Sequence, residues 1–303
     1  MKVAITWSTW FVWQHLVNLF SSRWDEVTAF WRRENFSFWS DKIKYIKWDI
    51  TRRIDSNLRN QQFDVFISSA SETNWKYPLW EMMKNNANSV QNVLELANNS
   101  EHCIVVSTSS VYQWLDWVLK ESQAINEGSL KNSYALTKFL AEQEYLKKFE
   151  ASKKLTILRP RAIYWKWDRI LIPSILQASL FNRLCMFWHW ENLTSITHIN
   201  NLCSAILFLI ENQRDNRQVY NISDPEAIKM GEIFEIIKTR FAKSGIIHMP
   251  ESAISIWRLW SENIFSYYAD LFTLNKVLDI SKIASLWFEP KHYDLVDFLK
   301  QNY

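Results

Sequence analysis

Glycine is nearly absent. The chain has 3 glycines in 303 residues, where average usage of about 7% would supply about 21. Few of its residues can therefore reach positive φ without strain. Cysteine is scarce as well. Cys103, Cys185 and Cys203 are odd in number and form no C-x-x-C pair. That excludes a disulfide framework and reads as buried thiols of an intracellular protein. The six histidines show no metal-ligand spacing, so no metal centre is expected. No apolar run reaches the ~18 residues of a membrane helix, so no membrane partner is expected. A net charge of only +3 gives no reason to expect nucleic acid or an anionic surface. The opening MKVAITWSTWFVW has some look of a secretory leader. Ser and Thr interrupt it, no small-residue cleavage site follows, and it runs on into a helical pattern. It reads instead as a first strand and turn of a cytoplasmic protein.

What is abundant is tryptophan, at 18 residues. Glycine and tryptophan together make 21, the ordinary count for glycine alone. Reading Trp7, Trp10 and Trp13 as glycine turns A-I-T-W-S-T-W-F-V-W into a G-x-x-G-x-x-G turn between a strand and a helix. Glycine there allows positive φ and close approach of a pyrophosphate to the helix N-terminus. The same substitution makes ordinary turns around Trp24, Trp48, Trp165, Trp167, Trp188, Trp190 and Trp287. A gene whose UGA codons mean glycine, translated with UGA as tryptophan, has this pattern. Trp257 and Trp260 sit in a helical pattern and read as true tryptophans.

The first half alternates apolar runs with helical periodicity. Strands are predicted at Lys2–Thr6, Glu26–Phe30, Ile43–Ile46, Val65–Ser68, Cys103–Thr108 and Leu155–Leu158. Helices are predicted from about Trp13, over Leu79–Asn98 and over Lys131–Phe149. This alternation argues for an α/β fold with a doubly wound parallel sheet. The second half is less regular, with helices at Ile170–Phe181, Asn201–Glu211 and Gly231–Ala242 and a strand at Gln218–Ile222. A division into 1–160 and 161–303 is expected, the latter a smaller substrate-binding region that partly returns to the sheet.

Several motifs then fall in order: the Trp7/Trp10/Trp13 turn, Asp49 after the third strand and Asn86 on a central helix. After them come Ser107-Thr108-Ser109-Ser110-Val111-Tyr112, Tyr134-x-x-x-Lys138, Arg159-Pro160 with Ile163-Tyr164, and His198-Ile199-Asn200-Asn201. With the three tryptophans read as glycine, the chain resembles the extended short-chain dehydrogenase/reductases, the NAD(P)-dependent epimerase/dehydratase group. The resemblance covers nearly the whole chain and is strongest over residues 1–223. It implies a Rossmann fold binding a dinucleotide through Trp7, Trp10, Phe11, Val12, Trp13, Arg32, Arg33, Asp49, Ile50, Lys138 and Pro160. It implies Thr108, Tyr134 and Lys138 as the catalytic set, while His198 by itself reads as structural.

A helix puts Tyr134 and Lys138 one turn apart on one face. A nearby ammonium favours the phenolate, so Tyr134 can exchange a proton with a substrate hydroxyl or carbonyl while hydride moves to or from the nicotinamide. Phe30-Trp31-Arg32-Arg33 stands where NAD enzymes carry an acid, which points to NADP, with NAD the alternative and Glu34 an acid close by. The substrate is a small molecule. A reductase or dehydrogenase is the first reading and a nucleotide-sugar epimerase or dehydratase the second. A non-catalytic dinucleotide-binding or RNA-associated scaffold is the third. A homodimer is compatible with all three.

Overall fold

A computed structural model describes residues 1–6, 10–32, 43–74, 77–166, 171–177, 179–187, 191–249 and 274–302. The side chains of residues 10, 11, 174, 187, 249, 300 and 302 are not described. The chain forms two compact units. The first comprises Met1–Val111, Ser133–Arg159 and Cys203–Tyr220, and the second the remaining segments.

The first unit is built on a seven-stranded sheet. Its strands are β1 (Lys2–Thr6), β2 (Glu26–Trp31), β3 (Ile43–Lys47), β4 (Phe63–Ser68), β5 (Ser100–Val106), β6 (Lys154–Pro160) and β7 (Arg217–Ile222). Their order is β7-β6-β5-β4-β1-β2-β3. Pairing runs parallel from β3 through β2, β1, β4 and β5 to β6. Ala4 stands between Thr28 and Phe66 in this register. Strands covered on both faces read as near-continuous apolar runs. Val3, Ala4 and Ile5 in β1 and Phe66 and Ile67 in β4 are all 0% exposed. The order reverses direction between β1 and β4, the switch point of a doubly wound sheet.

Helices cover both faces. Helix α1 (Trp10–Ser22) buries Trp13, Leu16, Val17 and Phe20. The other face forms one cluster of Phe30, Phe63, Phe66, Cys103, Leu155 and Ile157 with residues of α2 (Val90–Ala97) and α3 (Ser133–Lys148). All three cysteines are buried thiols.

The predicted helix Leu79–Asn98 is not continuous. It begins at Leu79–Met82, passes through a π-helical turn at Met83–Ala87, and resumes as α2. Within the turn the Asn88 N–H donates to the Met83 carbonyl at 2.8 Å. Asn85 and Ser89 spend their side chains on the backbone carbonyls of Glu81 and Asn85, which competes with the regular ladder. The predicted fifth strand also ends early, at Val106. Thr108 Oγ1 accepts from the Ser110 N–H at 3.1 Å and turns the chain into a short 3-10 segment, Ser109–Tyr112. Of the helix predicted at 170–181, Leu171–Gln177 is helical and Ser179–Leu180 is a short strand, and the helices predicted at 201–211 and 231–242 occupy Ile199–Asn212 and Met230–Arg240. Trp257 and Trp260 lie outside the described residues.

The second unit has a four-stranded sheet of very short strands, Ile228–Lys229, Leu193–Thr194, Lys276–Leu278 and Trp117–Leu119. Buried Asp224 organises part of it. Its carboxylate accepts from Tyr164 Oη at 2.8 Å, the His198 N–H at 2.8 Å and Asn201 Nδ2 at 2.6 Å. The His198 ring stacks on Tyr293 with centroids 3.6 Å apart. Among the described residues, no helix is long and apolar enough to cross a membrane.

The central strands dominate the first unit's core, so truncation there is costly. Phe66, fully buried in β4 and edge-on to Phe63 at 6.4 Å, is the test. Phe66→Ala is expected to lose about 3–5 kcal/mol in urea unfolding.

Candidate functional site

Helix α3 carries the site. Tyr134, Lys138 and Glu142 follow one another at four-residue spacing and so share one face. That face lies against the carboxyl end of β5. Lys138 Nζ donates to the Val106 carbonyl at 2.9 Å, one residue before Ser107-Thr108. The Thr108 hydroxyl hydrogen-bonds the Tyr134 phenol and also Ser110 Oγ at 3.1 Å. The three residues expected to be catalytic are thus together.

Their electrostatics follow from burial. Desolvation pushes the Tyr134 phenol up to about 12, against the smaller downward pull of the Thr108 hydrogen bond. At neutral pH it is a protonated acid. Desolvation pulls Lys138 down to about 8, and the Glu142 carboxylate opposes that fall. Lys138 is therefore largely an ammonium at pH 7 and loses its proton just above.

Glu142 was not among the expected site residues. It is 0% exposed and paired with Arg159 of β6, whose Nη2 lies 2.6 Å from Oε2. Ser107 Oγ donates to Oε1 at 2.5 Å. One carboxylate thus ties α3 to both β5 and β6. The spacing Tyr134, Lys138, Glu142 was the available signal, but the partner Arg159 is 17 residues away.

Asn86 lies in the π-helical turn and is buried. Its Oδ1 accepts from the Glu72 N–H at 2.7 Å, and its Nδ2 donates to the Glu72 carbonyl and to Thr137 Oγ1, each at 3.1 Å. It joins the segment after β4 to α3. A narrow crevice opens beside it, lined by Ile50, Ser68, Ala70, Asn86, Ser89, Lys138 and Tyr145 among others. At the switch point, Thr6 Oγ1 accepts from the Ser69 and Ala70 N–H groups at 3.2 and 3.3 Å, so the ends of β1 and β4 are clamped together.

The other expected cofactor residues are placed as follows. Asp49 follows β3, and its Oδ1 accepts from the Thr51 N–H at 3.0 Å and the Thr51 hydroxyl at 2.9 Å. Ile50 lines the crevice. Arg32 is exposed in the bend after β2. Trp10 and Phe11 begin α1, where Val12 and Trp13 are buried. Pro160 closes β6 and is buried. Trp7 and Arg33 lie outside the described residues.

A dinucleotide needs polar groups at the carboxyl ends of the strands beside the switch point. The buried ammonium of Lys138, the phenol of Tyr134 and the hydroxyl of Thr108 gather at the end of β5. The described residues fit a dinucleotide's nicotinamide and ribose end.

Residues 22–179 match the model of an NAD-binding family described as "Male sterility protein". A 4-epimerase of N-acetyl-α-D-glucosaminyl-diphospho-undecaprenol from Escherichia coli O157:H7 is 24% identical over 39% of this chain and 37% of its own length. A 2-alkyl-3-oxoalkanoate reductase from Stenotrophomonas maltophilia is 31% identical over 33% of this chain and 32% of its own. The chain thus spans about a third of the length of these curated relatives. Among solved structures, the UDP-glucuronic acid 4-epimerase of Bacillus cereus in complex with NAD superposes with a TM-score of 0.75. It is 20% identical over 99% of this chain and 94% of that one. At that identity the likeness shows the fold.

The Glu142 carboxylate faces both a buried guanidinium and Lys138. Removing its charge leaves Arg159 buried without a counter-ion, which costs about 3–5 kcal/mol. Glu142→Gln is expected to lower unfolding stability by that order in urea. It should also move the Lys138 Nζ titration below about 8, read from the lysine 13Cε resonance.

Proposed function

Because the chain belongs to the NAD-binding family described as "Male sterility protein", and with it to the extended short-chain dehydrogenase/reductases, we propose that it is an NAD(P)-dependent oxidoreductase acting at a carbonyl or hydroxyl carbon of a small molecule. The observation that carries this reading is the meeting of Thr108, Tyr134 and Lys138 at the end of β5. When bound, the nicotinamide supplies or accepts the hydride. The chain's own residues handle the proton. In reduction, Tyr134 is already protonated and can deliver its proton to the oxygen of the substrate as charge develops there. Thr108 holds that oxygen in line. Lys138, kept charged by Glu142, stabilises the phenolate left on Tyr134 and would bind the nicotinamide ribose. In oxidation the same groups run in reverse. Residues 161–303 would shape the substrate-binding region.

The cofactor reading turns on Arg32. A guanidinium after β2 suits the 2′-phosphate of NADP, whereas an acid would suit the ribose hydroxyl of NAD. The B. cereus structure is described with NAD, which supports NAD as the alternative. A nucleotide-sugar epimerase or dehydratase is the second reading. It is favoured by two proteins described as 4-epimerases, one among the curated relatives and one among the solved structures. Turnover screens with NADPH against carbonyl compounds, and separately with nucleotide sugars, decide between them. The screens should use both the chain as written and the chain with glycine at 7, 10 and 13.

Three outcomes are expected. Tyr134→Phe keeps dinucleotide binding and loses about 10²- to 10⁴-fold in turnover, the usual effect of removing one acid/base. Full turnover in that variant would remove Tyr134 from its role. The reductive rate falls as pH rises through about 8. Lys138, whose folded pKa lies there, loses its charge above that value, and a pH profile of kcat reads this directly. The glycine-containing chain binds NADPH several-fold more tightly than NADH by calorimetric titration, and equal affinities would set aside the argument from Arg32.

A further inference from the structure

Among the described residues, eight that are not glycine have positive φ, and four of these are tryptophans. They are Trp24 at 67°, Trp114 at 67°, Trp117 at 68° and Trp287 at 73°. Tryptophan is only 18 of 303 residues, so half of the positive-φ set is far above its share. A bulky residue in the left-handed region is a genuine outlier. The three glycines do none of this work, since none has positive φ. Gly231 lies inside the helix Met230–Arg240 and Gly245 inside the strand Gly245–Met249.

The local geometry at Trp24, Trp287 and Trp114 says what the position requires, and Trp117 begins the strand Trp117–Leu119. At the end of α1, the Asp25 N–H donates to the Phe20 carbonyl and the Trp24 N–H to the Ser21 carbonyl, each at 3.1 Å. This pair of bonds is a Schellman closure with Trp24 at the left-handed residue, where glycine is the commonest occupant. Trp287 ends the helical turn Ser281–Ala284 in a similar way, its N–H donating to the Ala284 carbonyl at 2.8 Å. Trp114 is the third residue of a four-residue turn closed by the Leu115 N–H on the Tyr112 carbonyl at 3.0 Å. Positive φ at that position selects glycine. Packing does not account for the indoles, because Trp24, Trp117 and Trp287 are 78%, 68% and 89% exposed.

We infer that Trp24, Trp114, Trp117 and Trp287 occupy positions the gene specifies as glycine, through UGA codons that the source organism reads as glycine. The same decoding accounts for Trp7, Trp10 and Trp13 ahead of and within the first turn of α1. With glycine at those positions the sequence has the G-x-x-G-x-x-G pattern, which permits close approach of a phosphate. Trp48 and Trp165, read from the sequence as turn positions, are not among the positive-φ residues, and they carry no such backbone mark; nor do Trp10, Trp13 and Trp80, which lie in helices. The backbone at the four positive-φ sites is the same whether or not the chain binds a dinucleotide.

The test has two parts. The first reads the codons at 24, 114, 117 and 287 and the masses of the corresponding peptides from the organism's own protein. UGA codons with glycine-containing peptides are expected, and UGG codons or tryptophan-containing peptides overturn the inference. The second compares thermal midpoints of this chain with Trp24→Gly, Trp24→Ala, Trp287→Gly and Trp287→Ala. Alanine removes the indole but leaves a Cβ at positive φ, so glycine should raise the midpoint further than alanine, by about 2 °C per site. Alanine that stabilises as much as glycine would show that backbone conformation is not what these positions select.

Discussion

The buried ion pair between Glu142 and Arg159 is the contact on which the site depends. Both side chains are almost fully removed from water, and their atoms meet at 2.6 Å. Two charges in a low-dielectric interior are tolerable only when paired and hydrogen-bonded, and the Ser107 hydroxyl completes the set. Because Tyr134, Lys138 and Glu142 lie on one face of α3, fixing Glu142 to β5 and β6 fixes the other two at the strand ends. The carboxylate is also what keeps the Lys138 ammonium charged despite its burial. The position of these groups and the charge on Lys138 therefore share one cause.

The same economy appears on the neighbouring strands. Thr6 bonds the chain after β4, and Asn86 bonds both that chain and Thr137 of α3. Polar groups at the switch point are thus held by side chains from three elements. The π-helical turn that carries Asn86 costs regular helix geometry, and such irregularities gather at functional sites. The result is a fixed backbone at the strand ends, against which the Lys138 ammonium and the Tyr134 phenol are held.

The backbone also records a conflict between residue type and conformation. Four exposed tryptophans hold positive φ, at a helix cap, at turns and at the start of a strand, while the glycines sit in ordinary helix, strand and turn. Strain of this kind usually marks a functional site. Here it is spread over unrelated turns, which is why a decoding explanation fits better than a functional one. The sheet tolerates it because its parallel strands are held by apolar burial and ladder bonds that do not involve the turns.

The sequence by itself determined the strands of the large sheet and the order in which they alternate with helices. Parallel strands buried on both faces must be short apolar runs, and β1, β2, β4 and β5 are legible for that reason. The sequence also determined Tyr134 and Lys138 as a pair, because helical spacing alone puts them on one face. Tertiary structure decided the rest. The interruption of the helix at Met83–Ala87 comes from Asn86 reaching Glu72 and Thr137, contacts that no local periodicity encodes. Glu142 reads as a surface glutamate until Arg159 is brought against it. The two- and three-residue strands of the second unit are too short to carry a pattern. Composition showed that glycine was missing and tryptophan in excess, but only the backbone showed that Trp114 and Trp117 lie in the left-handed region, because φ is set by how a turn must close and not by the residue that occupies it.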